Sequence, residues 1–355
     1  MAETARRALV ASLVFVGVVA LALALWQLRL VIALLFLAFV VSAAMRPGVE
    51  RLKERGVHRG IGIAVHYVAV AGLVALLLWL AVPRAADQLG QALGGEVPTS
   101  KAELNQATKH TTGLAHDLLK KAQQQLASVP GPGAFVDRAV TVTKLGLEIG
   151  FGVFFTLAAA AYWIFERDTA IRIVTRLVPR GRRRIVADTW VLIDLKLGAY
   201  VRGQLLLIAL VGTVLSLAFW VIGLPYWLLV GVFAGVVEIV PVVGPLAAGA
   251  AAVGVGLTVS WETAAAAGAA LLAVRLLEDY LVIPRVLGRA VGLSPLLVLV
   301  AVAGVALLFG KASVLLAIPL AAVIATIFEV LLLDKDPGDE QVPTVLFPAK
   351  ESVSR

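Results

Sequence analysis

The stretch "GVVEIVPVVGPLAAG", residues 235–249, places one acid, Glu238, and two prolines, Pro241 and Pro245, in a run that is otherwise hydrocarbon and glycine. As a helix, residues 226–240 reach only about 22 Å, short of the roughly 30 Å of a bilayer's hydrocarbon core. Pro241 removes a backbone donor, and Gly244 with Pro245 keeps the helix from simply continuing. Residues 246–259 form a second short apolar arm. Two arms joined at a Pro-Gly-Pro bend predict a re-entrant hairpin, whose irregular tip must be buried in protein or line a wet cavity.

Reading outward, a second such pattern occupies residues 293–333, where "FGKAS" at Phe309 to Ser313 separates two apolar arms. Laid on the first, "GLPYWLLVGVFAGV" from Gly223 and "GLSPLLVLVAVAGV" from Gly292 share Gly-Leu, Leu and Ala-Gly-Val in step. Paired interrupted segments in corresponding positions point to a transport site. The rest of the chain fits that solvent: 60% of the 355 residues are hydrophobic and 15% charged, with mean hydropathy +0.95. Uncharged runs such as 61–83 and 312–328 are continuous and do not alternate, which argues for spanning helices and against a β-barrel. The fold class expected is an all-α membrane protein of about eight transmembrane segments, two of them broken hairpins, with a helical extramembrane insertion.

Residues 1–83 should hold helices one to three, with a tight return at Gln27-Leu28-Arg29. Residues 84–145 are polar, with a capping-box pattern at Ser100 to Glu103, and read as an extracytoplasmic helical insertion. A transport core should follow over 146–333, its hairpins near 226–259 and 293–333, and residues 334–355 form a tail. The net charge of +8 is concentrated in two basic loops, "RPGVERLKERGVHRG" after Met45 and a second from Arg167 to Arg202 with "RGRRR" at 180–184. Beside spans this is the positive-inside pattern and not a nucleic-acid surface, so both loops and both termini are expected in the cytoplasm. The N-terminal apolar run lacks a cleavage site and reads as a retained anchor.

Without cysteine there is no thiolate or disulfide chemistry, and no phosphate loop, nucleophile elbow or zinc motif appears. No enzyme and no cofactor is implied. Glu238 near mid-depth costs roughly 2.5 to 3.5 kcal/mol if ionised and alone. It is either a proton or substrate gate beside a bend, or an interface acid paired with an arginine such as Arg275. Glu278 and Asp279 are adjacent, point about 100° apart on a helix and cannot face each other as a dyad. They either pair with Arg275 or gate the cytoplasmic mouth. Arg202 and Gln204 are candidate hydrogen-bond donors to a polar ligand, and Lys311 sits at the second bend as an anchor or pathway charge.

Four segments, "YVRGQLLLIALVG" at Tyr200, "GLPYWLLVGVFAGVVEIVPVVGP" at Gly223, "LEDYLVIPRVLGRAVGLSPLLVL" at Leu277 and "GKASVLLAIPLAAVI" at Gly310, together resemble the autoinducer-2 exporter family of bacterial membrane proteins. The family's Ile-Pro-x-x-Gly-Pro signature maps onto Pro241, Gly244 and Pro245, with Val240 for isoleucine. Its Glu-Asp element maps onto Glu278, Asp279, Pro284 and Gly288. The third element keeps Gly310 and Pro319 but has Ser313 for the second glycine. The resemblance implies a multi-pass inner-membrane transporter, associated with export of the quorum-sensing signal autoinducer-2 and in some members with sodium/proton antiport. It also implies a small polar solute, protons or sodium as coupling partners, and homo-oligomers. A channel-like scaffold is the reading that competes with a carrier.

Overall fold

The structure, a computed structural model, describes residues 2–92, 132–240, 243–283, 293–340 and 342. Helices α1 (Ala2–Gln27), α2 (Arg29–Glu54), α3 (Arg59–Ala92) and α4 (Pro132–Leu177) are followed by α5 (Arg183–Ile222), α6 (Trp227–Val237), α7 (Val243–Leu257), α8 (Trp261–Leu277), α9 (Pro295–Phe309) and α10 (Ala317–Leu332). No strand occurs among the described residues. Five helices are long and apolar enough to cross a membrane, and shorter apolar helices cover 59–72, 227–237, 243–257 and 296–309. The chain is an all-α membrane protein. Its outer surface agrees: Phe154 is 71% and Leu307 79% exposed, which water would penalise and hydrocarbon does not.

Local chemistry sets the helix ends. Ser260 and Ser294 each accept a backbone N–H three residues on, from Thr263 at 3.1 Å and Leu297 at 3.3 Å, and Pro295 occupies the first turn where its missing donor costs nothing. Gly223 closes α5 at φ 75°, the left-handed conformation that glycine enters without a Cβ clash.

Both hairpins form from helical arms. In the first, α6 and α7 flank Glu238 to Val240, a turn in which Val240 donates to the Val237 carbonyl at 3.0 Å. Gly244 and Pro245 do not lie in the bend itself, as the sequence suggested; they belong to the first turn of α7, where proline is tolerated. In the second, α9 stops at Gly310 (φ 93°, ψ 165°), a 3-10 turn spans Lys311–Leu316, and α10 resumes. Ser313 sits in that turn and its hydroxyl donates to the Phe309 carbonyl at 3.1 Å.

Three expectations need correction. The basic segments are not loops over most of their length: α2 runs through Pro47 to Glu54, and α4 and α5 leave only residues 178–182 between them, most of these a 3-10 turn. Some charges that looked loop-borne, Arg46, Arg167, Asp194 and Lys196 among them, sit on helices and pair there. The joint at Gln27-Leu28-Arg29 is not a returning turn, because Leu28 donates to Ala24 O and accepts from Ile32 N–H, carrying the ladder across, and α1 is not buried. The flanks of the expected insertion, 84–92 and 132–145, continue α3 and α4, and its centre lies outside the described residues.

The core that positions the site is made by α5 to α8. Val211, Leu215 and Phe219 of α5 pack on Val230 and Ala234 of α6, Ala248 and Ala252 of α7, and Ala267 and Val274 of α8. Glycines permit the approach. A Cβ on Gly235 would lie 2.7 Å from the Gly212 Cα and from the Ile208 carbonyl, so α5 and α6 touch backbone to backbone.

Candidate functional site

Glu238 sits at the end of α6, where the last carbonyls of a helix lack intrahelical partners. Gln204 of α5 supplies one, donating from Nε2 to the Glu238 carbonyl at 3.2 Å. A Cβ on Gly244 would meet the Val237 carbonyl carbon at 2.7 Å and the Glu238 Cα at 3.1 Å. The glycine therefore lets the start of α7 close directly over the acid. From α8, Arg275 reaches back: Nη1 lies 2.7 Å from Glu238 Oε1 and 3.1 Å from Glu278 Oε2, and Nη2 lies 3.2 Å from Asp279 Oδ1. The helix changes to a π turn at Glu278–Val282, which keeps both adjacent acids within reach of one guanidinium.

This is a half-buried charge cluster with three acids and one base, Asp279 being its exposed member. Glu238 and Glu278 side chains are 9% and 3% exposed, Arg275 33%. Arginine suits the position because its planar fork serves several carboxylates at once. Beside the cluster, Glu238, Pro245, Ala248, Leu271 and Arg275 line a cavity of about 10 Å³, at the lower limit of what one water needs. The arrangement is a polar point between the first hairpin and α8.

The structure thus joins Gln204, Glu238, Gly244, Pro245, Glu278 and Asp279 in one site. Pro241, Pro284 and Gly288 lie outside the described residues. Arg202 is placed elsewhere, with Nη1 donating to the Ala44 carbonyl of α2 at 3.1 Å, close to Gly198. Gly310 and Lys311 mark the second break, and Pro319 is buried in the first turn of α10.

Two further charge groups on α5 were not expected from the sequence. Asp194 pairs with Arg167 of α4 and lies 3.6 Å from Arg46 Nη1 of α2, and Arg46 in turn holds Glu50 at 3.0 Å. Lys196, 6% exposed, donates to Thr326 Oγ1 at 3.1 Å and pairs with Glu340 at 2.7 Å. Both Asp194 and Lys196 fall in the span read as a basic loop. Their signal is a mixed-sign pattern, since basic loops seldom alternate Asp and Lys with apolar residues at helical spacing.

The sequence profile of the AI-2E family transporter matches residues 15–333. The Bacillus subtilis (strain 168) protein named "Putative transport protein YrrI" is 26% identical over 303 residues, covering 82% of this chain and 83% of that protein. YueF of the same strain, named likewise, is 25% identical, with 79% of each covered. A Mycobacterium tuberculosis protein so named, MT0215, is 25% identical over 331 residues, covering 90% of this chain and 88% of its own.

Proposed function

The chain belongs to the AI-2E transporter family, and from that premise we propose that it is a secondary carrier moving a small polar solute past the Glu238–Arg275 cluster, with Glu238 as the coupling or gating acid. The observation that carries this reading is the 2.7 Å contact of Glu238 with Arg275 beside a small cavity at the break between α6 and α7. A pair between a bent hairpin and a neighbouring helix is a natural gate, since parting the two exchanges one partner for solute or water. The half-helix ends at the break offer partial charges to a polar solute without a full protein charge.

The solute we propose is autoinducer-2 or one of similar size and polarity, and the coupling ion a proton. An excess of acids over bases in the cluster supports a second reading, sodium/proton antiport, in which cations exchange at the same point. We place the chain in a bacterial cytoplasmic membrane with the α2 end and the Arg180–Arg184 turn on the inner face, because basic side chains gather at both.

Flux into proteoliposomes tests this. Saturable autoinducer-2 movement that follows an imposed pH gradient and is lost in Glu238→Gln is expected; sodium-dependent pH change moves the assignment to the antiporter. Glu238→Gln with unchanged flux and pH dependence overturns the role of the acid, and no flux of either kind favours a scaffold.

A further inference from the structure

Further toward the N-terminal end of α5 than Gln204, α2, α4, α5 and α10 line a second and much larger cavity of about 610 Å³. That volume is in the range of small-molecule sites, roughly 300–1,000 Å³. One wall is aromatic. Trp163 of α4 and Trp190 of α5 stack with centroids 6.0 Å apart and planes 16° apart, and Phe39 of α2 meets them edge-on at 5.4 Å and 6.3 Å. Three rings held edge to face leave little rotamer freedom, so the wall is preformed. The rest is aliphatic but for Phe36 and Thr189. The hydroxyl among the lining groups, that of Thr189, donates to the Ile185 carbonyl at 2.6 Å and has no donor left for a ligand.

The mouth is as informative as the interior. Leu35, Ile185, Ile327 and Leu331 line the cavity and are between 40% and 60% exposed. In a membrane protein an apolar mouth opens into acyl chains and not into water. Ile185 directly follows Arg184, and Arg180, Arg182, Arg183 and Arg184 stand together at the start of α5, where the chain turns from α4. Arg180 and Arg182 are exposed and have no acidic partner among the described residues. The acids near the rim are already matched: Asp188 lies 3.4 Å from Arg184, and Glu329 lies 3.0 Å from Lys335. An apolar slot open to the bilayer therefore adjoins a cluster of uncompensated positive charge.

We propose that this cavity is a lipid-binding site that takes an acyl chain of an anionic phospholipid, with its phosphate headgroup on the arginines of residues 180–184. Both halves of the ligand follow from the walls: the slot is apolar apart from the indole N–H groups of Trp163 and Trp190, which are buried without a partner and could meet at most an ester carbonyl, and clustered arginines at a membrane boundary attract anionic headgroups. Arginine's fork matches phosphate geometry, which lysine's point charge does not. The site lies on helices other than the α6–α7 hairpin and does not depend on which solute is carried. Because α5 contributes to both regions, a bound lipid would brace the helix that also presents Gln204 to Glu238.

The experiment uses the full-length protein in detergent, incubated with phosphatidylglycerol or with phosphatidylcholine of the same chains and analysed by native mass spectrometry. Phosphatidylglycerol should be retained about tenfold more than phosphatidylcholine. The Arg180→Ser/Arg182→Ser variant should erase that preference. Ala159→Phe, which fills the slot from α4, should reduce retention of both lipids. Equal retention of the two lipids by the unaltered protein, or unchanged retention by Ala159→Phe, overturns the proposal. A second readout does not depend on Ala159→Phe folding: stoichiometric phosphatidylglycerol brominated on its acyl chains should quench tryptophan emission. Trp163→Phe/Trp190→Phe should remove the quenched component. Quenching that persists in that double variant places the chain elsewhere and overturns the proposal as well.

Discussion

Arg275 of α8 donates from Nη1 to Glu238 Oε1 at 2.7 Å, across the gap between α8 and the end of the broken helix α6. The same nitrogen is 3.1 Å from Glu278 Oε2, so a single guanidinium holds the break of the first hairpin against the π turn that follows α8. Parting Glu238 from Arg275 does not strand the arginine, because Glu278 and Asp279 stay on its own helix. It does strand Glu238, which is the asymmetry expected of a gate that exchanges one acid's partner.

Removing the arginine should therefore hurt more than removing any one acid. Arg275→Met leaves Glu278, 3% exposed, without its cation. We expect a loss of about 3 kcal/mol, the lower end for a broken buried pair because Arg275 is itself one-third exposed. Glu238→Gln/Glu278→Gln/Arg275→Met should recover most of it. Thermal unfolding in detergent, followed by light scattering, reads the difference, and a triple variant no more stable than Arg275→Met would count against the cluster as a charge-matched unit.

Much of this arrangement was legible in the sequence, for a physical reason. An acid in a run of Val, Gly and Pro must find a partner or water, which singled out Glu238 and named Arg275 as one possible partner. Gln204 was legible as a polar group but not in its role, since the carbonyl it caps becomes free only where α6 ends. Asp194, Lys196 and Arg167 were missed because a hydropathy reading penalises each charge separately. Their mutual pairing lets α4 and α5 run on through the segment read as a loop. The joint at Leu28 was misread on the same ground: span lengths suggested a return, and only the hydrogen-bond ladder shows the helix carrying on.

Backbone contact between α5 and α6 predicts a contrast between two glycines. A Cβ at Gly235 would press on the Gly212 backbone at 2.7 Å, whereas one at Gly254 of α7 meets nothing within 4 Å. Gly235→Ala should destabilise by about 1–3 kcal/mol. Gly254→Ala should be neutral or stabilising by up to about 1 kcal/mol, because alanine restricts the unfolded chain. Comparison of melting temperatures in one detergent decides it, and equal effects would mean that the helices do not meet at Gly235.

The second break makes a backbone prediction. Gly310 has φ 93° and ψ 165°, a region essentially closed to residues with a Cβ, although space around it is open. Gly310→Ala should cost about 1–3 kcal/mol through strain alone. Gly304→Ala, in the middle of α9 and equally open, should not. If the two substitutions melt alike, Gly310 does not hold this conformation and α9 continues further toward Ser313.

The tail supplies the last prediction. Lys196 is a buried cation on α5 whose shortest ion pair, 2.7 Å to Glu340, comes from beyond the end of α10. Thr326 accepts a hydrogen bond from it at 3.1 Å but brings no charge, and Glu329 at 3.9 Å is already engaged with Lys335 at 3.0 Å. A buried ammonium without a close carboxylate is costly, so Glu340 is what fastens residues 334–340 against the bundle. A double-mutant cycle on Lys196→Met and Glu340→Gln should give a coupling of about 1–3 kcal/mol. Glu329→Gln with Lys196→Met should give less. Glu340→Gln should also speed cleavage of the tail by a nonspecific protease while the helices stay intact, because the segment it releases has no other buried ion pair to hold it among the described residues. Zero coupling at Glu340 together with strong coupling at Glu329 would assign the lysine to α10 and leave the tail unanchored.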